Sequence, residues 1–265
     1  MLGFIGCGMM GGVILEGILE QKILPPDELL IYDKDTAKTG VLHEKWGVRV
    51  AFDIEGLCRE AREIFLAVKP QNIDELMEHG LRDLPSEKLI ISIVAGVQIS
   101  SLQKKAGKPL RIVRIMPNTP CLVGEGMSII SPGADVAEKE IEFVKNIMGA
   151  LGKAVLLEEK LLDAGTGING CGPAFFLLIL EALADGGVEA GLSRETAAAL
   201  AVQTMLGTAK MVQETGEHPA SLKNKVTSPG GLTSAGLLAL EEGGVRASMI
   251  NAVVRAVERG KSLGS

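Results

Sequence analysis

The opening of the chain constrains its fold more than any other part. Leu2-Gly3-Phe4-Ile5 is a short apolar run that leads straight into Gly6-Cys7-Gly8-Met9-Met10-Gly11, after which Val13, Ile14, Gly17 and Ile18 recur at helical spacing. The order is strand, glycine loop, helix. The G-x-G-x-x-G spacing assigns the first glycine to a tight turn, the second to close approach of a pyrophosphate and the third to helix–strand packing. With 33 glycines in the chain, spacing alone carries little weight. The strand before and the helix after make it a dinucleotide-binding signal. Leu29-Leu30-Ile31-Tyr32 reads as a second strand ending in Asp33, about 20 residues past the third glycine, where such a fold places the acid that meets the adenosine ribose. The alternative reading, a strand-end Asp33 that starts a turn or caps the next helix, is the weaker one, because the glycine loop and the acid match the dinucleotide pattern together.

The alternation continues. Helices are expected over Thr36–Trp46, Ile54–Ala61, Ile73–Leu81, Ile99–Lys105 and Val136–Gly149. Strands are expected over Val48–Val50, Ile64–Val68, Leu89–Val94, Ile112–Met116, Met127–Ile130 and Ala154–Leu157. Strands that alternate with helices and are apolar on both faces imply an α/β, doubly wound, mostly parallel sheet of Rossmann type. Ligands of such sheets bind at the carboxyl ends of the strands. The loops there hold the cofactor-binding candidates: Gly6 to Gly11, Asp33 and Lys34, Ala67, Val68, Lys69 and Pro70, Ala95 and Gly96, and Asn118.

After about Glu158 the strand signal stops. A first domain of residues 1–157 and an all-helical second domain of 158–265 are expected. Gly165–Pro173 is rich in helix breakers. The helix expected over Ala174–Ala190 is apolar on nearly every face through Leu180, the mark of a helix buried all round. About a hundred residues are barely enough to hide it, which implies a partner subunit. Ser193 is placed to cap a second long helix ended by Gly216. Pro219–Asn224 suggests a further helical turn, and Ala247–Arg259 a last amphipathic helix. Between them lies Ser228-Pro229-Gly230-Gly231-Leu232-Thr233. It reads either as a capped helix start after a turn or as a small anion pocket, with free N–H groups near Leu232 and Thr233 and two hydroxyls in reach.

Composition excludes several classes. Net charge is −6 and the basic residues are scattered, which argues against nucleic acid. The four cysteines are far apart and form no CxxC pair, so neither a metal site nor a disulfide framework is expected and a reducing, cytoplasmic setting fits. No basic leader precedes the first apolar run, and the longest apolar run, Ala174–Leu180, is too short to span a bilayer. The histidines, His43, His79 and His218, lie away from the loops named above.

Pro219–Glu241 resembles the signature of the pyrroline-5-carboxylate reductases, the last enzymes of proline synthesis. Gly3–Gly12, Phe65–Gln71, Ala95–Leu102, Met116–Pro120, Thr166–Phe176 and Glu181–Leu192 resemble further motifs of that family, in family order over almost the whole chain. The resemblance implies hydride transfer from NAD(P)H to the imine carbon of Δ1-pyrroline-5-carboxylate, giving L-proline. It implies that the Thr233 hydroxyl serves the ring nitrogen. Ser228 and the backbone from Gly230 and Gly231 to Leu232 and Thr233 would hold the carboxylate, with Glu159 and Thr166 near the same pocket. It also implies homodimers, or larger assemblies of dimers, with interleaved helical domains and a site shared between chains. Asp33-Lys34 departs from the small polar and basic pair common in NADPH-using members, and an ionised Asp33 leans the preference toward NADH. Three rival readings compete. A β-hydroxyacid dehydrogenase would need a lysine within Gly167–Phe176, where there is none. A reductase of other cyclic imines differs only in pocket size. A dinucleotide-binding sensor would bind cofactor without turnover.

Overall fold

The computed structural model describes residues 1–264. The chain forms two compact units, Met1–Gly170 with Val257 onward, and Cys171–Ala256. The domain boundary expected from the sequence falls between residues 157 and 158. The segment 158–170 groups here with the sheet.

In the first unit, β1 (Leu2–Ile5), β2 (Leu29–Tyr32), β3 (Arg49–Val50), β4 (Glu63–Leu66), β5 (Leu89–Ser92), β6 (Arg111–Met116), β7 (Gly126–Pro132) and β8 (Gly152–Leu156) build one sheet of order β3-β2-β1-β4-β5-β6-β7-β8. All neighbours are parallel except β6 and β7. Helices α1 (Met9–Glu20), α2 (Thr36–Trp46), α3 (Ile54–Glu60), α4 (Ile73–Leu76), α5 (Ile99–Ala106), α6 (Glu138–Gly149) and α7 (Leu162–Asn169) connect or cover the strands. Side chains alternate across the sheet. Phe4 and Phe65 stack on one face with centroids 4.4 Å apart, whereas Ile5, Ile64 and Leu66 enter the cluster on the other. The chain leaves β1 toward β2 and β3, then crosses back to β4, so the strand order reverses beside β1. A doubly wound sheet opens its ligand crevice at that reversal.

Local signals explain most boundaries. Asp35 caps α2 by accepting from the Ala37 N–H at 3.2 Å, and Gly47 ends it in the left-handed region at φ 73°. Asp53 caps α3 through the Gly56 N–H at 2.7 Å. Two expectations need correction. Ile73–Leu81 is not one helix: α4 is a single turn, and the following wider-turned segment breaks at His79 and Gly80, the latter at φ 133°. The break delivers Leu81 and Leu84 to the core. Gly165–Asn169 is not a breaker loop but the body of α7. A Cβ on Gly165 would collide with Ile129 Cδ1, so this glycine serves close helix–sheet packing rather than a turn.

The second unit is helical: α8 (Gly172–Glu189), α9 (Arg194–Thr215), α10 (Pro219–Lys225) and α11 (Leu232–Glu242), followed by the start of α12 (Val245–Gly264). Ser193 caps α9 and Gly216 ends it, as expected. The α8–α9 pair closes on Ala184, Ala197 and Ala201. Little else in this unit is buried. Phe176, Leu177, Leu178 and Leu183 on α8, and Leu200 and Leu206 on α9, are more than half exposed. An apolar surface of this extent marks an association face. One helical span, Glu159–Glu189, is long and apolar enough to cross a membrane by length and composition alone.

Candidate functional site

The three loop glycines do three different jobs. Gly6 sits at φ 99°, closed to other residues, and a Cβ there would strike the Ala67 carbonyl of the neighbouring loop. A Cβ on Gly11 would strike the Gly6 carbonyl, so Gly11 lets α1 lie against its own strand. A Cβ added to Gly8, by contrast, would meet nothing within 4 Å. That open side faces a crevice. The N-cap of α1 is Gly8 itself, with no side-chain cap and no acid in the first turn. The first N–H groups and the positive dipole end therefore remain available to an anion.

A cavity of about 360 Å³ opens beside this loop. Gly6, Gly8, Asp33, Lys34, Ala67, Val68 and Lys69 contribute to its wall. All of them are expected cofactor residues, brought together from the ends of β1, β2 and β4. Cys7, Met10 and Gly11 turn inward, Met9 is exposed at the start of α1, and Pro70 opens a short 3-10 turn after Lys69. Burial, and next the Asp33 carboxylate, push the Cys7 thiol up to about 12, so it stays neutral at neutral pH.

Asp33 is held firmly. Its Oδ2 accepts the Cys7 N–H at 2.7 Å and its Oδ1 accepts the Asp35 N–H at 2.9 Å. Lys38 Nζ lies 3.9 Å from Oδ1 and 3.4 Å from Asp35. Lys38, Gln71 and Glu75 also line the cavity, and sequence reasoning misses them. For Lys38 a signal exists: it stands in the first turn of the helix after Asp33 and so returns toward that strand end.

Further along the sheet edge, Ala95 and Gly96 are exposed after β5, with Gly96 at φ 73°. The other expected residues on this side are engaged in the fold. Asn118 donates from Nδ2 to the Asn169 carbonyl at 3.1 Å and accepts the Met127 N–H at 2.9 Å. Asn169 answers by donating from Nδ2 to the carbonyls of Met116 and Met127 at 2.8 and 3.0 Å. The two asparagines thus lock α7 to the ends of β6 and β7. Thr166 donates its hydroxyl to the Leu162 carbonyl at 2.7 Å, within α7 and not at a helix start. Glu159 Oε1 accepts the Ile99 N–H at 2.8 Å and pairs with Arg114 at 3.1 Å. Arg114 also escapes sequence reasoning, although a charge inside the apolar strand Arg111–Met116 calls for a partner.

In the second unit, α11 begins at Leu232 with Gly231 as N-cap, no side-chain cap and no acid in the first turn. Gly230 turns the chain at φ 64°, and Gly231 donates its N–H to the Ser228 carbonyl at 3.1 Å. A Cβ on Gly231 would collide with Ser228 Oγ. Leu232 and Thr233 are exposed. Ser228, Gly230, Gly231, Leu232 and Thr233 therefore form one uncapped helix start carrying two hydroxyls.

Residues 1–96 match the family described as NADP oxidoreductase, coenzyme F420-dependent, and residues 159–263 match the pyrroline-5-carboxylate reductase dimerisation family. The pyrroline-5-carboxylate reductase of Methanosarcina acetivorans is 43% identical over 99% of this chain and 97% of its own. The chain belongs to the pyrroline-5-carboxylate reductase family. Solved reductases of the family share its fold. That from Coxiella burnetii matches with a TM-score of 0.94 at 35% identity, covering 100% of this chain and 98% of its own. The Plasmodium falciparum reductase, solved with NADP bound, matches with a TM-score of 0.84 at 36% identity over the same shares. The reductase dimerisation match spans the exposed apolar faces of α8 and α9 and supports assembly as a dimer. The loop after β1 has the form of a dinucleotide cradle: a turn closed to side chains at Gly6, space over Gly8, and an uncapped α1.

Proposed function

We propose that this protein reduces Δ1-pyrroline-5-carboxylate to L-proline with NAD(P)H, closing proline synthesis. The observation that carries the reading is the uncapped start of α11, with the Ser228 and Thr233 hydroxyls beside free backbone N–H groups. Its form suits a small cyclic carboxylate. When bound, the reduced nicotinamide supplies the hydride, and the chain supplies binding, orientation and a hydrogen-bond donor to the ring nitrogen.

Gly6, Gly8 and the first N–H groups of α1 would hold the pyrophosphate, and Asp33 the adenosine ribose. Ser228, Gly230, Gly231 and the N–H groups of Leu232 and Thr233 would hold the substrate carboxylate. The Thr233 hydroxyl would donate a hydrogen bond to the ring nitrogen, favouring the iminium character that makes the imine carbon electrophilic; the proton that nitrogen carries as the C=N bond becomes C–N comes from solvent, directly or through that hydroxyl, which is left neutral. Thr166 borders this pocket in the proposed dimer, with one subunit contributing the sheet edge and the other contributing α11. Fixing the two reactants in contact supplies most of the rate effect. The NADH lean stands on Asp33, tempered by Lys38. Four reduced cysteines suit a cytoplasmic enzyme.

The test is direct. Purified protein is mixed with reduced dinucleotide and pyrroline-5-carboxylate, and dinucleotide oxidation and proline are followed together. Thr233→Ala is expected to lower kcat about 100-fold, as for loss of a positioned proton donor, with dinucleotide affinity kept within about twofold. Equal loss of both would remove Thr233 from its role. Dinucleotide binding without turnover would favour the sensor reading.

A further inference from the structure

We propose that Glu159 is a positioning residue that sets the loop after β5, rather than a ligand of the substrate; this rests on the function proposed above. One oxygen, Oε1, joins three segments that are far apart in sequence. It accepts the Ile99 N–H at 2.8 Å, the first N–H of α5, whose N-cap Gln98 offers no side-chain cap. It also receives Arg114 Nη1 at 3.1 Å. Arg114 is only 5% exposed, in the middle of β6, and its register neighbours on β5 and β7 are the buried serines Ser92 and Ser131. A guanidinium in that position needs an anion, and Glu159 is the anion paired with it.

The consequence concerns the loop of Ala95 to Gln98. Asp33 fixes the adenosine half of a dinucleotide near β2, so the nicotinamide half runs toward the ends of β4, β5 and β6. The loop after β5 is therefore the nicotinamide-side loop. Its far end is tied down where Ile99 meets Glu159, and Glu159 is itself anchored by Arg114 beneath the neighbouring strand end. A carboxylate spent on two such bonds is a strut for the site's floor.

The decisive variant is Ile99→Pro, compared with Ile99→Ala. Both lose the isoleucine side chain, but only proline removes the N–H, and it leaves the Arg114–Glu159 pair intact. Proline is compatible with the first helical position, and Gln98 already has the extended backbone, φ −79° and ψ 156°, that a residue before proline adopts. Relative to Ile99→Ala, Ile99→Pro is expected to lower kcat about tenfold and raise the Kd of the reduced dinucleotide about fivefold. KM for pyrroline-5-carboxylate and Kd for proline should stay within twofold. Glu159→Gln should show the same split. A tenfold rise in the substrate KM for Glu159→Gln, with Ile99→Pro matching Ile99→Ala, would make Glu159 a substrate ligand and overturn the proposal. A lowered Tm with wild-type kcat and dinucleotide affinity in Ile99→Pro would reduce the bond to a structural one and overturn it equally. Where Glu159→Gln fails to fold because Arg114 is left unpaired, the Ile99 pair decides alone. If the wild type does not turn over pyrroline-5-carboxylate, the functional reading has failed, and the dinucleotide Kd of the Ile99 pair still decides on the loop.

Discussion

Replacing Asp33 with asparagine should move the cofactor preference of this reductase toward NADPH. The Asp33 carboxylate stands where the adenosine ribose would lie, at the wall of the cavity beside Gly8. At roughly 4 Å and an effective dielectric near 20, each unit of like charge on a 2′-phosphate would cost about 4 kcal/mol. Lys38 opposes this from 3.9 Å, but its side chain is 46% exposed and shared with Asp35, so its offset is about 1 kcal/mol. For one unit of phosphate charge the net, about 3 kcal/mol, corresponds to roughly 150-fold discrimination between the cofactors. The substituted amide would keep one acceptor oxygen for the Cys7 and Asp35 N–H groups where the carboxylate offers two. That loss, about 1–3 kcal/mol, falls on both cofactors and cancels in their ratio. The assay is kcat/KM for NADH and NADPH in wild type and Asp33→Asn. The NADH-to-NADPH ratio should fall by that factor. A ratio unchanged within twofold, with both values falling together, would refute the electrostatic reasoning, as would a wild-type enzyme that strongly prefers NADPH.

Gly231→Ala should raise KM for pyrroline-5-carboxylate about tenfold by displacing Ser228 Oγ, while leaving dinucleotide affinity unchanged; steady-state kinetics and a dinucleotide titration check both halves. Alkaline stability should carry a thiol signature. Burial raises Cys58 to about 11 and Cys7 to about 12, so each favours the fold fully below an ordinary thiol value near 9 and loses that contribution as pH rises toward its folded value. At pH 10.5 each has lost about 2 kcal/mol, so Cys58→Ala should lose about 2 kcal/mol less than wild type between pH 8.5 and 10.5 in urea unfolding. Leu178→Asp puts a charge on the exposed apolar face of α8 and should yield monomers in sedimentation velocity at micromolar concentration. A retained dimer would move the interface away from α8.

Much of this fold is legible in the sequence because local chemistry and long-range pattern agree. Asp35 and Gly47 bracket α2 by capping and a left-handed end, and the apolar strands carry their burial in their composition. Glycine is where reading fails, since one residue type serves two ends. Gly6 and Gly230 are needed for backbone shape, whereas Gly165 and Gly11 are needed so that backbone and side chains can approach closely. The G-x-G-x-x-G spacing separates the two uses for Gly6 and Gly11, but no such spacing surrounds Gly165, so the glycines of α7 suggest a loop where a helix forms. The polar ties are also hidden. Glu159 with Arg114 and Ile99, and Asn118 with Asn169, bridge residues 45 to 60 positions apart, and no spacing rule links them. The glycine cradle after β1 and the helix start at Leu232 are legible because each is built from adjacent residues whose backbone N–H groups act together.

The central claim is that the hydride goes to the imine carbon of a cyclic imino acid. Reduced dinucleotide deuterated at the transferable C4 position, incubated with pyrroline-5-carboxylate and the enzyme, tests it in one mass spectrum. Proline carrying a single deuterium at C5 is the expected product. Proline without deuterium, or dinucleotide consumed with no proline formed, would contradict it.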